Sequence, residues 1–120
     1  MNLRPTSKEL NGINGEIKAR MLRIRRAIHQ RPELSNQEFE TSALVHRELE
    51  AAGITDIIKV VATGLIARIQ GEGGGKAKTL AIRADLDALP MTELSGLPFA
   101  SKNPGVMHAC GHDAHTAMVL

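Results

Sequence analysis

Apolar residues recur at helical spacing in the first quarter of the chain, where they follow one another at steps of four, three and four. They are Ile17, Met21, Ile24 and Ile28. Because this spacing places side chains on one face of an α-helix, the row predicts a helix over residues 14–31. Pro32 ends it, since the residue before a proline avoids the helical conformation. The polar residues 1–13 predict a flexible leader.

A second helix is predicted from residue 35 to about Ala52. Ser35 and Glu38 have the spacing of a capping box, in which two side chains satisfy free amides at a helix start. Gly53 is the expected C-terminal stop. The predicted inward-facing residues are Val45, Leu49 and Ala52.

The apolar period then changes to that of strands. Residues 54–61 are rich in β-branched side chains, residues 63–64 form a turn, and residues 65–70 alternate as a second strand. The glycine-rich residues 71–76 predict a flexible hairpin connection. Residues 79–84 are mostly apolar and predict a third, central strand.

A long loop is predicted over residues 88–107, where prolines and glycines recur. A buried helix is predicted from about Asp113, with apolar positions at Ala114, Ala117, Met118, Val119 and Leu120. The order of helix, helix, three strands, loop and helix start predicts an α/β fold with a mixed sheet.

The amino-acid composition indicates which classes of protein this chain can belong to. The 120 residues are 42% hydrophobic and 23% charged, which is typical of one soluble globular domain. With two phenylalanines and no tyrosine or tryptophan, stacking platforms for single-stranded nucleic acid are scarce. One cysteine cannot form an internal disulfide, which favours a reducing compartment. Since no signal segment or membrane span is evident, we expect a cytoplasmic location without a membrane partner.

Basic side chains are concentrated in the first predicted helix. They are Lys18, Arg20, Arg23, Arg25, Arg26 and Arg31. The net charge is only +2, so we interpret the run as the solvated face of that helix. Contact with nucleic acid or a membrane surface is the alternative interpretation.

The richest chemistry lies in residues 108–115, which hold the single cysteine and three of the five histidines. In an extended backbone, His108, Cys110 and His112 would point the same way. Imidazole nitrogen and thiolate sulfur are ligands that zinc and similar ions accept. The cluster therefore predicts a metal site, whereas a solvated loop with a buried cysteine is the plain alternative.

Two carboxylates, Asp85 and Asp87, follow the third predicted strand. Ligands of open α/β sheets bind at the carboxyl ends of strands, so the pair would bind a cation or orient a histidine. Capping of the loop is the other interpretation. Cys110 as a nucleophile with a histidine base is a further hypothesis for the cluster. A structural zinc site is disfavoured because such sites normally carry several cysteines.

Three segments, residues 82–91, 96–101 and 105–117, together closely resemble the M20 metallopeptidases, specifically their aminoacylase-like amidohydrolase branch. Residues 28–35, followed by Glu38, Thr41 and Ser42, are similar to the helix pair at the N-terminus of the same family. The resemblance implies metal-dependent hydrolysis of the amide bond of N-acyl amino acids or related amides. It also implies a divalent cofactor such as zinc or manganese.

The resemblance further implies roles for individual residues. Cys110 and His112 match metal ligands, and Asp87 matches a supporting carboxylate that orients the site. Asp85 stands where other branches of the family carry a histidine. The remaining polar residues of the cluster match the motif but are not assigned as ligands.

The fold implied is the N-terminal part of a zinc-peptidase-like catalytic domain, spanning residues 14–120 and truncated at the start of a third helix. The general-base glutamate, the other ligands and a lid domain that often dimerises are expected beyond Leu120. We therefore expect this chain alone to be inactive and marginally stable. A non-catalytic truncated product or a small metal-binding module stays open as the alternative.

Overall fold

The computed structural model describes residues 7–73 and 78–120, with side chains described from residue 15 onward. The elements, in order, are α1 (Ser7–Gln30), α2 (Phe39–Ala51), β1 (Ile57–Val60), β2 (Gly64–Ala67) and α3 (His112–Val119). The predicted α/β class is confirmed. None of the helices in this part of the chain combines the length and apolar character needed to cross a membrane.

Helix α1 begins at Ser7, seven residues before its predicted start, and ends at Gln30, just ahead of Pro32 as predicted. It therefore overlaps the leader predicted over residues 1–13, of which residues 1–6 lie outside the described part. Only the C-terminal half of its apolar stripe is buried. Ile24 and Ile28 are 1% and 2% exposed, whereas Ile17 is 55% exposed.

The core is formed where α1 meets α3. Ile24 and Ile28 pack against Ala117, which is 4% exposed. Met21, Leu44 and Leu120 surround this contact. The prediction that Met118 and Val119 are buried is wrong, because they are 60% and 47% exposed. The α1–α3 contact brings the C-terminal loop onto the first helix.

Several arginines of α1 are paired with carboxylates rather than simply solvated. Arg20 and Arg23 both bind Glu48 of α2, at 3.2 and 2.8 Å. Burial raises the pKa of Glu48, but the two guanidinium groups outweigh it and lower that pKa below its ordinary value. Arg25 lies 3.2 Å from Asp113 of α3. The prediction of a solvated basic face holds for Arg23, which is exposed, whereas Arg20 and Arg25 are half-buried and paired.

The predicted capping box at Ser35 and Glu38 is wrong. Helix α2 begins at Phe39, and Asn36 takes a left-handed φ of 65°, so the chain turns where the capping box required a helix. The buried Glu38 side chain instead accepts a hydrogen bond of 2.6 Å from Thr63 Oγ1.

Glu33 caps α2 from outside the helix. Its carboxylate accepts hydrogen bonds from the amides of Glu40 at 3.0 Å and Thr41 at 2.8 Å. The hydroxyl of Thr41 donates to it as well, at 2.8 Å. These bonds satisfy amides that have no partner within the first turn of the helix.

The end of α2 follows the prediction. Gly53 has a φ of +81°, a conformation that glycine adopts without steric cost. Its amide bonds the Glu50 carbonyl, and the Ile54 amide bonds the Leu49 carbonyl, as in a Schellman motif. Val45 is buried as predicted, but Ala52 is exposed because it lies at the helix end.

The first two predicted strands are confirmed as a short antiparallel hairpin. Strands β1 and β2 pair from Ile57 opposite Ala67 to Val60 opposite Gly64. The turn at residues 61–63 joins them. The connection predicted over residues 71–76 lies partly outside the described residues.

The third predicted strand, residues 79–84, is wrong. These residues have no regular secondary structure, and Leu80 and Ile82 are 85% and 71% exposed. A strand needs a hydrogen-bonded neighbour, and within residues 7–73 and 78–120 the sheet contains only β1 and β2. The predicted mixed sheet is thus a two-stranded antiparallel one in this part of the chain.

The long loop of residues 88–107 is held by isolated bridges. Leu34 pairs with Ala88, and Leu89 pairs with Met107. The first bridge joins the loop to the α1–α2 connection. Hydrogen bonds from Thr116 to the Asp85 carbonyl and from His112 to the Asp87 carbonyl place residues 85–87 beside the start of α3. This arrangement sets the geometry of the predicted metal loop.

Candidate metal centre

Gly111 fixes the path of the predicted metal loop. It is the N-cap of α3 and has a φ of +90°, in the left-handed region that favours glycine. The chain therefore turns between Cys110 and His112 and does not continue as an extended strand. The prediction that His108, Cys110 and His112 share one face of an extended segment is wrong. His108 is 3% exposed, while Cys110 is an exposed free thiol.

Asp87 and His112 are in direct contact. His112 Nδ1 lies 3.0 Å from the Asp87 carbonyl oxygen and 3.0 Å from its Oδ1. A carbonyl oxygen only accepts hydrogen bonds, so Nδ1 donates and carries the ring proton. In the neutral ring, Nε2 then keeps the lone pair with which histidine binds metals.

Asp85 approaches the same imidazole from its other nitrogen. Its Oδ2 lies 4.0 Å from His112 Nε2, while its Oδ1 accepts hydrogen bonds of 2.9 and 2.7 Å from Arg83. The hydrogen bonds from Arg83 lower the pKa of Asp85 below its ordinary value. The Asp85 carbonyl also accepts a bond of 3.0 Å from Thr116, which ties this segment to α3.

A buried ionic network that sequence reasoning missed lies behind the loop. His29 of α1 is 4% exposed, with Nδ1 at 2.8 Å from Asp113 Oδ2 and Nε2 at 3.1 Å from Glu93 Oε1. His29 follows the buried Ile28 and lies one turn after Arg25. Because His29 borders the apolar row of α1, the helical periodicity could have predicted that its side chain is buried.

Glu93 and Asp113 are both ionised carboxylates in this network. Burial raises the pKa of Glu93, but hydrogen bonds from Ser95, Ser101 and His29 outweigh it and bring that pKa to about 2. Burial likewise raises the pKa of Asp113. Hydrogen bonds from His29, the Ala114 amide and Arg25 reverse the effect and lower that pKa.

His108 is the least satisfied polar side chain of the loop. It is 3% exposed, and neither of its ring nitrogens has a hydrogen-bond partner among the described residues; Asp113 Oδ1 also lacks one. Burial lowers the pKa of His108, and the nearby Asp113 carboxylate offsets this only in part.

The donors present fit a zinc-like ion in chemistry but are few in number. Cys110 offers a thiol that solvent reaches, and His112 offers an Nε2 lone pair oriented by Asp87. Sulfur and imidazole ligands suit zinc and neighbouring transition metals. Across residues 7–73 and 78–120, no group of three or more histidine, cysteine, aspartate or glutamate side chains is arranged to hold a metal ion. The described residues thus offer a partial set of ligands.

Known proteins resemble this chain closely in sequence. Residues 81–120 match the family model described as Peptidase family M20/M25/M40. N-acetyl-L-cysteine deacetylase of Bacillus subtilis is 48% identical over 114 residues, which are 94% of this chain and 27% of that protein. N-acyl-L-amino acid amidohydrolase of Geobacillus stearothermophilus is 45% identical over 115 residues, which are 96% of this chain and 30% of that protein.

The fold matches a solved structure from the same family. The crystal structure of the Bacillus subtilis YXEP protein, a dinuclear metal-binding peptidase of the M20 family, superposes with a TM-score of 0.80 at 49% identity. The match covers 87% of this chain and 29% of that one. The chain thus spans less than a third of the length of these relatives. The motifs and the comparisons agree, and the predicted resemblance of this chain to the M20 family is confirmed.

Proposed function

We propose that this chain contributes part of the metal centre of an M20-type amidohydrolase. In this proposal Cys110 and His112 are metal ligands, and Asp87 orients His112. The observation that carries it is the bond from His112 Nδ1 to Asp87, which leaves Nε2 free to bind a metal ion. The exposed thiol of Cys110, two residues away, adds the second donor.

The proposed reaction is hydrolysis of the amide bond of an N-acyl amino acid or a related amide. Relatives named for deacetylation of N-acetyl-L-cysteine and for N-acyl-L-amino acid amidohydrolysis support this substrate class. A divalent ion, zinc or manganese, would supply Lewis-acid activation of the amide carbonyl and of water. The Asp87 carboxylate keeps the imidazole of His112 in one tautomer and one orientation, and Nε2 would then be available to hold the ion.

The remaining parts of such an enzyme are proposed to lie outside residues 14–120. They are the general-base glutamate, the further ligands and a lid domain through which the full-length form dimerises. Two ligands are fewer than the three that a catalytic zinc site normally takes from the protein. The 120 residues alone are therefore expected to be inactive.

The test is hydrolysis of N-acetyl amino acids by the full-length protein that contains this chain, with metal content measured alongside. Loss of a group that only supports a metal ligand lowers activity by up to about 100-fold. Since Cys110 and His112 are proposed as ligands themselves, we expect Cys110→Ser and His112→Asn each to lower kcat/KM by at least that factor. His46→Asn is the matched control, since His46 pairs with Glu50 on α2 away from the loop. It should leave kcat/KM unchanged.

Treatment with a chelator separates this proposal from a cysteine hydrolase. A metal enzyme loses activity in chelator and regains it with zinc or manganese, whereas a cysteine hydrolase is insensitive to chelator but is inactivated by thiol alkylation. Activity that survives both metal removal and the His112→Asn change would overturn the proposal.

A further inference from the structure

His29 occupies a position between three separate segments of the chain. Its ring lies at the end of α1, and its two nitrogens contact Asp113 in α3 and Glu93 in the long loop. The contacts span 84 and 64 residues of sequence. The rings of Phe99 and His29 pack against each other in a T-shaped arrangement, with centroids 5.5 Å apart. The contacts with Asp113, Glu93 and Phe99 together hold the His29 ring in one orientation.

Both partners of His29 are themselves anchored. Glu93 accepts hydrogen bonds from the hydroxyl of Ser95 and, at 2.6 Å, from the amide of Ser101. Asp113 Oδ2 accepts a second bond, of 3.2 Å, from Arg25 Nε. Each ring nitrogen of His29 faces a carboxylate oxygen, and a nitrogen that carries a proton donates to the carboxylate it faces. Such charge-assisted bonds are stronger and more directional than neutral ones.

The contact with Asp113 reaches the proposed ligand through the backbone. Asp113 directly follows His112 in the first turn of α3, and its side chain is 1% exposed. Fixing the Asp113 side chain against α1 sets the rotation of that turn about the helix axis. The same rotation determines whether the His112 ring meets Asp87.

We propose that His29 is a positioning residue for the metal centre, holding the first turn of α3 so that His112 and Cys110 present their donor atoms to one ion. This inference rests on the proposed function. His29 touches neither proposed ligand, so its effect passes through Asp113 and the helix turn.

The experiment uses the full-length protein loaded with cobalt(II), whose absorption reports thiolate ligation and coordination geometry. Wild type, Cys110→Ser, His29→Gln and His29→Leu are compared for metal affinity, spectrum, kcat and KM. The glutamine variant can still donate one hydrogen bond, whereas the leucine variant can donate none. Ile24→Val is the control for packing, because Ile24 is a buried α1 residue that packs against Ala117 of α3 and has no polar side chain to join the hydrogen-bond network.

We expect His29→Leu to weaken metal affinity by about tenfold or more, in the range seen for outer-shell partners of metal ligands. Its cobalt spectrum should change, and kcat should fall more than KM rises. His29→Gln should lie between wild type and His29→Leu. Ile24→Val should lower the melting temperature while leaving the affinity and the spectrum as in wild type.

The outcomes separate the two proposals. A Cys110-dependent cobalt band that is the same in His29→Leu and wild type overturns the positioning role alone. The positioning role is also overturned if Ile24→Val and His29→Leu have the same melting temperature and lose the same amount of metal affinity. If wild type shows no cobalt band that depends on Cys110, the proposed function fails and the inference fails with it.

Discussion

Three carboxylates, those of Glu48, Glu93 and Asp113, stay ionised in the fold because each is surrounded by hydrogen-bond donors. Burial by itself raises the pKa of a carboxyl group, since it disfavours the charged form. Glu48, Glu93 and Asp113 nevertheless have lowered pKa values, because guanidinium, imidazole, hydroxyl and amide groups bind them. Each of these side chains therefore contributes stability that depends on its charge.

Glu93 gives a prediction for stability at low pH. Its pKa is lowered from 4.5 to about 2 in the fold, so its contribution is fully present above pH 4.5 and is lost as the pH falls toward 2. Because Glu93 is only half-buried, solvent screens part of this effect, and the contribution is on the order of 1 kcal/mol. Glu93→Gln should therefore flatten the fall in the free energy of unfolding across this range, measured by urea titration at several pH values.

The control for this measurement is Glu40→Gln. Glu40 is an exposed α2 residue whose carboxylate lies 3.4 Å from Arg31, where solvent screens the pair. The pH dependence of this variant should match that of wild type. Equal slopes for wild type and Glu93→Gln would contradict the role assigned to the Glu93 charge.

At the scale of elements, the ends of α2 illustrate what local sequence rules can and cannot predict. The Gly53 stop depends on the backbone freedom of one residue, so the sequence alone predicts it. The N-terminal cap depends on Glu33, which reaches the helix across a turn in which Asn36 is left-handed. The capping-box rule assumes that the helix starts directly after Ser35, so it cannot predict a turn at Asn36.

Two variants compare the observed cap with the predicted one. Glu33→Ala removes the acceptor of the Glu40 and Thr41 amides and should destabilise the protein by about 1 kcal/mol. Ser35→Ala should change stability by no more than about 0.5 kcal/mol, as exposed substitutions usually do. Urea unfolding midpoints provide the comparison. A larger loss of stability in Ser35→Ala than in Glu33→Ala would contradict the Glu33 cap and favour the predicted capping box.

At the scale of the whole molecule, the chain buries little of its apolar surface. Its radius of gyration is 16.6 Å, whereas a compact domain of this length has about 14 Å. Among the described residues, five hydrophobic side chains form the buried core. Large apolar side chains are exposed instead, and they include Val61, Ile69, Leu80, Ile82 and Leu94.

This balance predicts that residues 1–120 expressed alone are marginally stable. Since exposed apolar area contributes no burial energy, we expect a free energy of unfolding below the roughly 5 kcal/mol at the lower limit for native domains. Urea denaturation followed by circular dichroism provides the measurement, with a compact globular domain of similar length as the reference. Binding of a hydrophobic dye to residues 1–120 should exceed binding to that reference. A single cooperative transition at higher stability would contradict this.

The sequence by itself determined the features that depend on neighbouring residues. Helical spacing determined α1 and α2, and β-branched runs determined the β1–β2 hairpin. The histidine–cysteine motif led to the proposal of a metal site in residues 108–115. These features depend on backbone preferences and periodicity over a few positions, which a single sequence contains.

Tertiary structure decided which groups meet across the chain, although the sequence already led us to expect that Asp85 and Asp87 would bind a cation or orient a histidine. The Asp87–His112 bond joins residues 25 apart, and the His29–Asp113 bond joins residues 84 apart. Residues 79–84 carry a strand-like pattern but have no neighbouring strand among the described residues, so the pattern alone did not produce a strand. Spacing along the chain does not encode such contacts, because they arise only when α1, the long loop and α3 pack together.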